Sequence, residues 1–160
     1  QQGQAKSCAF DLPVSSTLGT PMSELPADHP LSIASQQRDV DGLRNAVWAL
    51  EQDWPTSSLL TELLLQDWHD SHEDIVFEIG LIGDPRAVDA IKASAISPFA
   101  YLEEWGNKHE FQRKCAYALA RIGTVESRSA LEELAQSEDE HIREYGEEGL
   151  EHWPMPYEKN

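Results

Sequence analysis

Cysteine, basic residues and long apolar runs are what this 160-residue sequence has little of, and each shortage excludes a class. Two cysteines, Cys8 and Cys115, are too few for a disulfide framework or a zinc-ligand set, although one bridge between them stays open. No apolar run approaches the roughly 18 residues of a membrane span, so the sequence reads as a soluble domain with no membrane partner. Twelve Lys and Arg against 29 Asp and Glu leave a net charge of −17. A field of that sign repels phosphate backbones and favours encounter with basic partners, so a nucleic-acid partner is not expected. No glycine-rich phosphate loop and no G-x-S-x-G occurs, and no cofactor is expected. The sequence opens Gln1-Gln2-Gly3-Gln4 rather than with Met. That leans towards removal of an export signal or another N-terminal piece, and leaves the compartment open between cytoplasmic and exported.

What is present is helical. Val and Ile never alternate with polar residues between turn pairs, so no strand is expected. Residues 1–37 carry Pro13, Pro21, Pro26 and Pro30 with several serines, and read as an extended arm ahead of a helical domain at 38–160. Over 39–52, Val40, Leu43, Val47 and Leu50 recur at helical spacing. Pro55 starts a second helix bearing Leu59, Leu60, Leu63 and Leu64. Ser71 opens a third to Ile82, and Asp84-Pro85 a fourth with Ala87, Val88, Ile91 and Ala95 inward. After an insertion around FAYLEEWGN with room for a short helix, a helix from Lys108 to Ile122 buries Phe111, Cys115, Ala118, Leu119 and Ile122. Segments 125–136 and 138–153 complete the chain.

Two of these stretches are copies. FEIGLIGDPRAVDAI at 77–91 aligns with YALARIGTVESRSAL at 117–131 at an offset of 40, so that Ile79 matches Leu119, Gly83 matches Gly123 and Ile91 matches Leu131. IREYGEEGLEHW at 142–153 is a further copy of the first helix, with Leu150 matching Leu119 at an offset of 31. The turn Ile82-Gly83-Asp84-Pro85-Arg86-Ala87-Val88 resembles that of the HEAT-like repeats first described in phycobilisome lyases, and the resemblance covers about 39–153. It implies an all-α solenoid of stacked antiparallel helix pairs, about three pairs plus a C-terminal capping helix. One pair buries too little alone, so neighbours stack into one continuous core. The helix at 71–82 is apolar nearly all round, Phe77 and Leu81 included, and is expected to be sandwiched. The last helix has Ile142, Tyr145, Gly146, Gly149, Leu150 and Trp153 on one stripe and acids opposite, as a cap should.

The segment Trp68-His69-Asp70-Ser71-His72-Glu73-Asp74 raises the question of metal. Ser71 and Asp74 have the spacing of a capping box, repeated at Ser137 and Glu140, which gives Glu73 and Asp74 a helix-start role. The alternative is a metal-dependent enzyme built on the 69–73 segment. Deoxyhypusine hydroxylase, a HEAT-like enzyme, holds two irons through His-Glu pairs at equivalent repeat positions. Here His72-Glu73 and His109-Glu110 are out of register: the position matching His72 is Gln112, and in the last copy Arg143. No metal is therefore expected.

The remaining signal is surface. From Glu126 to Glu151, ten acids less Arg128 and Arg143 leave −8, with Glu132, Glu133, Glu140, Glu144, Glu147, Glu148 and Glu151 as candidate partner-binding residues. Arg113, Lys114, Arg121 and Tyr117 form an opposing outer stripe. Trp54, Trp68 and Trp105 fall at helix ends or in the insertion, where aromatic anchors for a protein partner would sit. These features point to a non-catalytic protein-binding module for a basic protein. The concrete form is an immunity-type protein that neutralises a basic toxin; a scaffold, adaptor or lyase-like subunit is the alternative.

Overall fold

The computed structural model describes residues 25–97 and 99–158. Among them are nine α-helices and no strand: α1 (Pro30–Gln37), α2 (Val40–Trp48), α3 (Ser57–Leu64), α4 (His72–Ile82), α5 (Val88–Ile96), α6 (Ala100–Glu104), α7 (Lys108–Ile122), α8 (Val125–Leu134) and α9 (Glu140–His152). The helices follow the expected order α2–α3, α4–α5 and α7–α8; α3 packs against α4, α5 against α7 and α7 against α8, with α9 closing the stack against α7 and α8. Helices α2, α4, α7 and α9 follow one another in one layer, and α3, α5 and α8 in the second. One core runs between them, from Leu31 and Leu43 through Ile75, Ile79 and Ile91 to Phe111, Leu119, Leu131 and Ile142.

The repeat seen in sequence is reproduced in backbone geometry. Gly83 and Gly123 both end their helices in the left-handed region, at φ 77° and 70°, and their N–H groups return to the matched residues Ile79 and Leu119. Only glycine takes that conformation without steric cost. Both α3 and α5 enter through a short 3-10 turn with proline near its start, Trp54–Thr56 and Pro85–Ala87. Asp84 anchors the second of these turns. Its buried carboxylate accepts from Arg86 N–H (2.9 Å), from the Arg86 guanidinium (2.7 Å) and from Ser57 Oγ of the preceding pair (2.7 Å). These partners hold it below the usual carboxylate range against the opposing effect of burial.

Four expectations need correction. Residues 30–37, read as part of an extended arm, form α1 against α2; only Leu31 and Ala34 are buried there, too short a stripe to show a period, and the cap is the His29 ring, which accepts from Leu31 N–H at 3.0 Å. The rest of that arm, before residue 25, lies outside the described residues. Ser71 precedes α4 but caps nothing: its hydroxyl is buried without a hydrogen-bond partner. At α9 the cap is Asp139, accepting from His141 and Ile142 N–H, and Ser137 instead accepts from Asp139 N–H. Among the described residues the one reciprocal capping box sits at Thr124 and Ser127. Finally, α4 is sandwiched by α2, α3 and α7, but its outer face is left open, with Phe77 47% exposed.

Candidate functional site

The histidine-rich segment is interior architecture. His69 and His72 are both buried, with rings stacked 4.0 Å apart and His72 stacked again on Phe99. Ser71 N–H donates to His69 Nδ1 (3.1 Å), so Nε2 carries the proton and donates to Leu63 O (2.8 Å). His72 Nε2 donates to Gln66 O (2.6 Å), and its Nδ1 faces the Tyr101 hydroxyl (2.8 Å). Burial pushes both imidazoles down, His72 to about 3, so both are neutral near pH 7. All four ring nitrogens are engaged, and among the described residues no three His, Cys, Asp or Glu side chains converge as a metal-ligand set. The flanking acids tie helices together: Asp70 takes a two-pronged bond from Arg44 (2.8 and 2.9 Å), Asp74 accepts from Trp48 Nε1, and Glu73 accepts from Asn107 and Lys114.

The repeat register explains why a donor stands at position 72. His72, Gln112 and Arg143 occupy matched positions, and each donates to a backbone carbonyl at the end of the preceding second-layer helix or within three residues beyond it. Gln112 Nε2 reaches Ala95 O at 3.0 Å, and Arg143 reaches Ser137 O at 2.9 Å, as His72 reaches Gln66 O. The last carbonyls of a helix have no partner within it, so a side-chain donor from the next helix satisfies them and locks one pair onto the next. Three different residue types perform one task.

The solvent face of the first layer is laced across neighbouring helices. Trp48–Asp74 links α2 to α4, Glu73–Lys114 links α4 to α7, and Glu148 links α9 to α7 through the Arg113 guanidinium (2.7 Å) and the Tyr117 hydroxyl. Arg113, and then Tyr117, hold the Glu148 carboxyl below its ordinary range, while Glu148 raises both of its partners. Beside this network, Phe77, Glu110, Arg113, Lys114, Tyr117, Ala118 and Arg121 line a cleft of about 200 Å³ between α4 and α7. Its floor is the closest approach of those helices, where a Cβ on Gly80 would lie 3.0 Å from Ala118 Cα.

The predicted surface residues separate into groups. Glu132, Glu133, Glu140, Glu144, Glu147 and Glu151 are exposed on α8 and α9, and of these Glu133 meets Lys92 (3.0 Å) and Glu132 meets Arg128 (3.5 Å). Glu148 is half-buried and committed to α7. Trp54 and Trp105 are exposed, at 51% and 56%. Trp68 is half-buried, edge-on to His69 and bonded to Gln66, so it is packed rather than presented. The structure adds Trp48, 77% exposed, and Phe77 to the exposed aromatics. Phe77 lies about 200° around the helix from both Ile75 and Ile79, and that angle was the signal available in the sequence.

Residues 111–137 match the family model of the PBS lyase HEAT-like repeat. The match takes in α7 from Phe111 and all of α8, so the chain carries one such repeat there. The Ile82–Val88 turn that carries the sequence resemblance lies outside the matched residues. No curated protein and no solved structure matches the chain.

Proposed function

For a chain that carries a PBS lyase HEAT-like repeat, we propose a non-catalytic protein-binding role with a basic protein as partner. The observation that carries this reading is the terminal pair: Glu126, Glu138, Glu140, Glu144, Glu147 and Glu151 are exposed there and enter no ion pair among the described residues. Concentrating like charge costs stability through self-repulsion, and a cationic partner offsets that cost. Stacked repeats offer an extended surface on a rigid frame, which suits recognition of another protein. The specific form we favour is an immunity-type inhibitor that captures a basic toxin. Its carboxylates would occupy the place of the phosphates such a toxin binds, and its field would speed encounter.

The test is affinity capture with this chain as bait at low and at high salt, followed by association kinetics on the retained protein. A basic protein is expected to be held at low salt, with added salt slowing association far more than it speeds dissociation. An association rate indifferent to salt would remove the charge argument.

A further inference from the structure

Three of the chain's twelve Lys and Arg residues, Arg113, Lys114 and Arg121, line the one cleft described above between α4 and α7. Two of them are already satisfied, Arg113 by Glu148 and Lys114 by Glu73. Arg121 is not: half-buried, it makes no hydrogen bond or ion pair among the described residues. A Cβ on Gly80 would lie 3.5 Å from Arg121 Cδ, so the stem of this side chain runs across α4 while its guanidinium stays without a counter-ion. Glu110 lines the other end of the cleft, eleven residues or about 16 Å along α7. Between them lie Phe77, Tyr117 and Ala118.

A guanidinium held by its stem is a fork of donors matched to a carboxylate, and an adjacent exposed ring is a surface for an apolar group. We infer that the α4–α7 cleft receives an Asp or Glu side chain of a bound protein on Arg121, with a neighbouring apolar side chain of that protein on Phe77. The inference rests on the protein-binding reading above and adds what the partner must bring. At about 200 Å³ the cleft is smaller than the roughly 300–1,000 Å³ of typical small-molecule sites, and it has room for one or two side chains. It also supplies what a diffuse acidic surface lacks. Many carboxylates attract a basic protein in many orientations, whereas one unmatched arginine repels a lysine and accepts only an acid, which selects a register.

The experiment is an amide NMR titration of the full chain with three probes: acetyl-Leu-Glu-amide, acetyl-Leu-Gln-amide and 3-phenylpropionate. Saturable shifts at Phe77, Tyr117, Ala118 and Arg121 are expected with the Glu dipeptide, about fivefold weaker binding with the Gln dipeptide, and loss of that difference in Arg121→Gln. Arg121→Gln should leave the rest of the spectrum unchanged, since Arg121 has no internal partner to lose. Equal affinity for the two dipeptides, no saturable shift, or discrimination that survives Arg121→Gln would overturn the assignment. Tighter binding of 3-phenylpropionate than of either dipeptide would assign the cleft to small carboxylates and overturn the protein side chain as occupant. The titration needs no partner protein, so the two failures are distinguishable: a failed capture removes the basic partner, and a failed titration removes the assignment of the cleft.

Discussion

Replacing Gly146 by alanine tests how α9 is held. In an exposed helix interior the substitution gains about 1 kcal/mol, because alanine is the better helix former. Here the added Cβ would meet Ala135 N at 2.4 Å, Leu134 C at 2.7 Å and Ala135 Cα at 2.9 Å. Carbon atoms in contact prefer roughly 3.5–4.0 Å, and all three obstacles are backbone at the end of α8, with no side-chain rotation to relieve them. Helix α9 must therefore move outward by about 1 Å, loosening Ile142, Tyr145, Leu150 and Trp153, the residues that close the core at this end. Overpacking of this kind costs about 1–3 kcal/mol or more, and a clash confined to backbone lies at the upper end. Net of the helix-propensity gain, Gly146→Ala should lose about 2 kcal/mol in urea unfolding with little change in slope, and about 4–8 °C in Tm. Gly42→Ala is the contrast, since its Cβ would meet only the Asp39 side chain, which can turn aside; that costs its cap on Gly42 N–H, about 1 kcal/mol, which the helix-propensity gain offsets. Stabilisation of Gly146→Ala by about 1 kcal/mol would refute the close approach of α8 and α9.

Four further outcomes follow from buried groups. Because burial holds His72 at about 3, the unfolded chain binds a proton below about pH 6.5 that the folded chain refuses, so stability falls as pH drops through that window. His72 alone should remove about 1.4 kcal/mol between pH 7.5 and 5.5, while Glu62 and Glu78, raised by burial, act in the opposite direction. His69, also lowered, acts in the same direction. His72→Gln keeps a donor, as Gln112 does in the next pair, and should flatten the pH dependence; equal slopes for variant and wild type would count against the assignment. Ser71→Ala should change stability by no more than about 0.5 kcal/mol, because its hydroxyl has no partner, whereas a working cap would cost about 1 kcal/mol. Asp84→Ala should cost about 2–3 kcal/mol by orphaning Ser57 and the Arg86 amide, and a ranking with Ser71→Ala the costlier change would reverse the account of these helix starts. Cys115 is fully buried, and desolvation pushes its thiol up, so a thiol reagent should modify it only at the rate of unfolding; fast labelling in the native protein would be inconsistent with that burial.

By itself the sequence determined the class of fold, the order of the helices and the register between copies. Those follow from spacing along one chain: apolar residues at helical intervals, glycines at matched helix ends, proline at helix starts and an offset of 40 that carries Ile79 onto Leu119. It also determined the acidity of the terminal pair, since charge is a sum over residues and those on a capping helix have nowhere to go but solvent. What lay beyond it were choices that depend on a neighbour distant in sequence. Ser71 has the spacing of a cap, but its amide donates to His69 Nδ1, whose Nε2 donates to Leu63 O on α3, and its hydroxyl is buried without a partner. Glu148 reads as one more surface acid until α7 brings Arg113 and Tyr117 to it. Phe77 and Arg121 are unremarkable apart, and only the close passage of α4 over Ala118 sets them on one cleft. Spacing reports what a residue shares with its own helix; which groups are satisfied, covered or left open is decided by the helix packed against it.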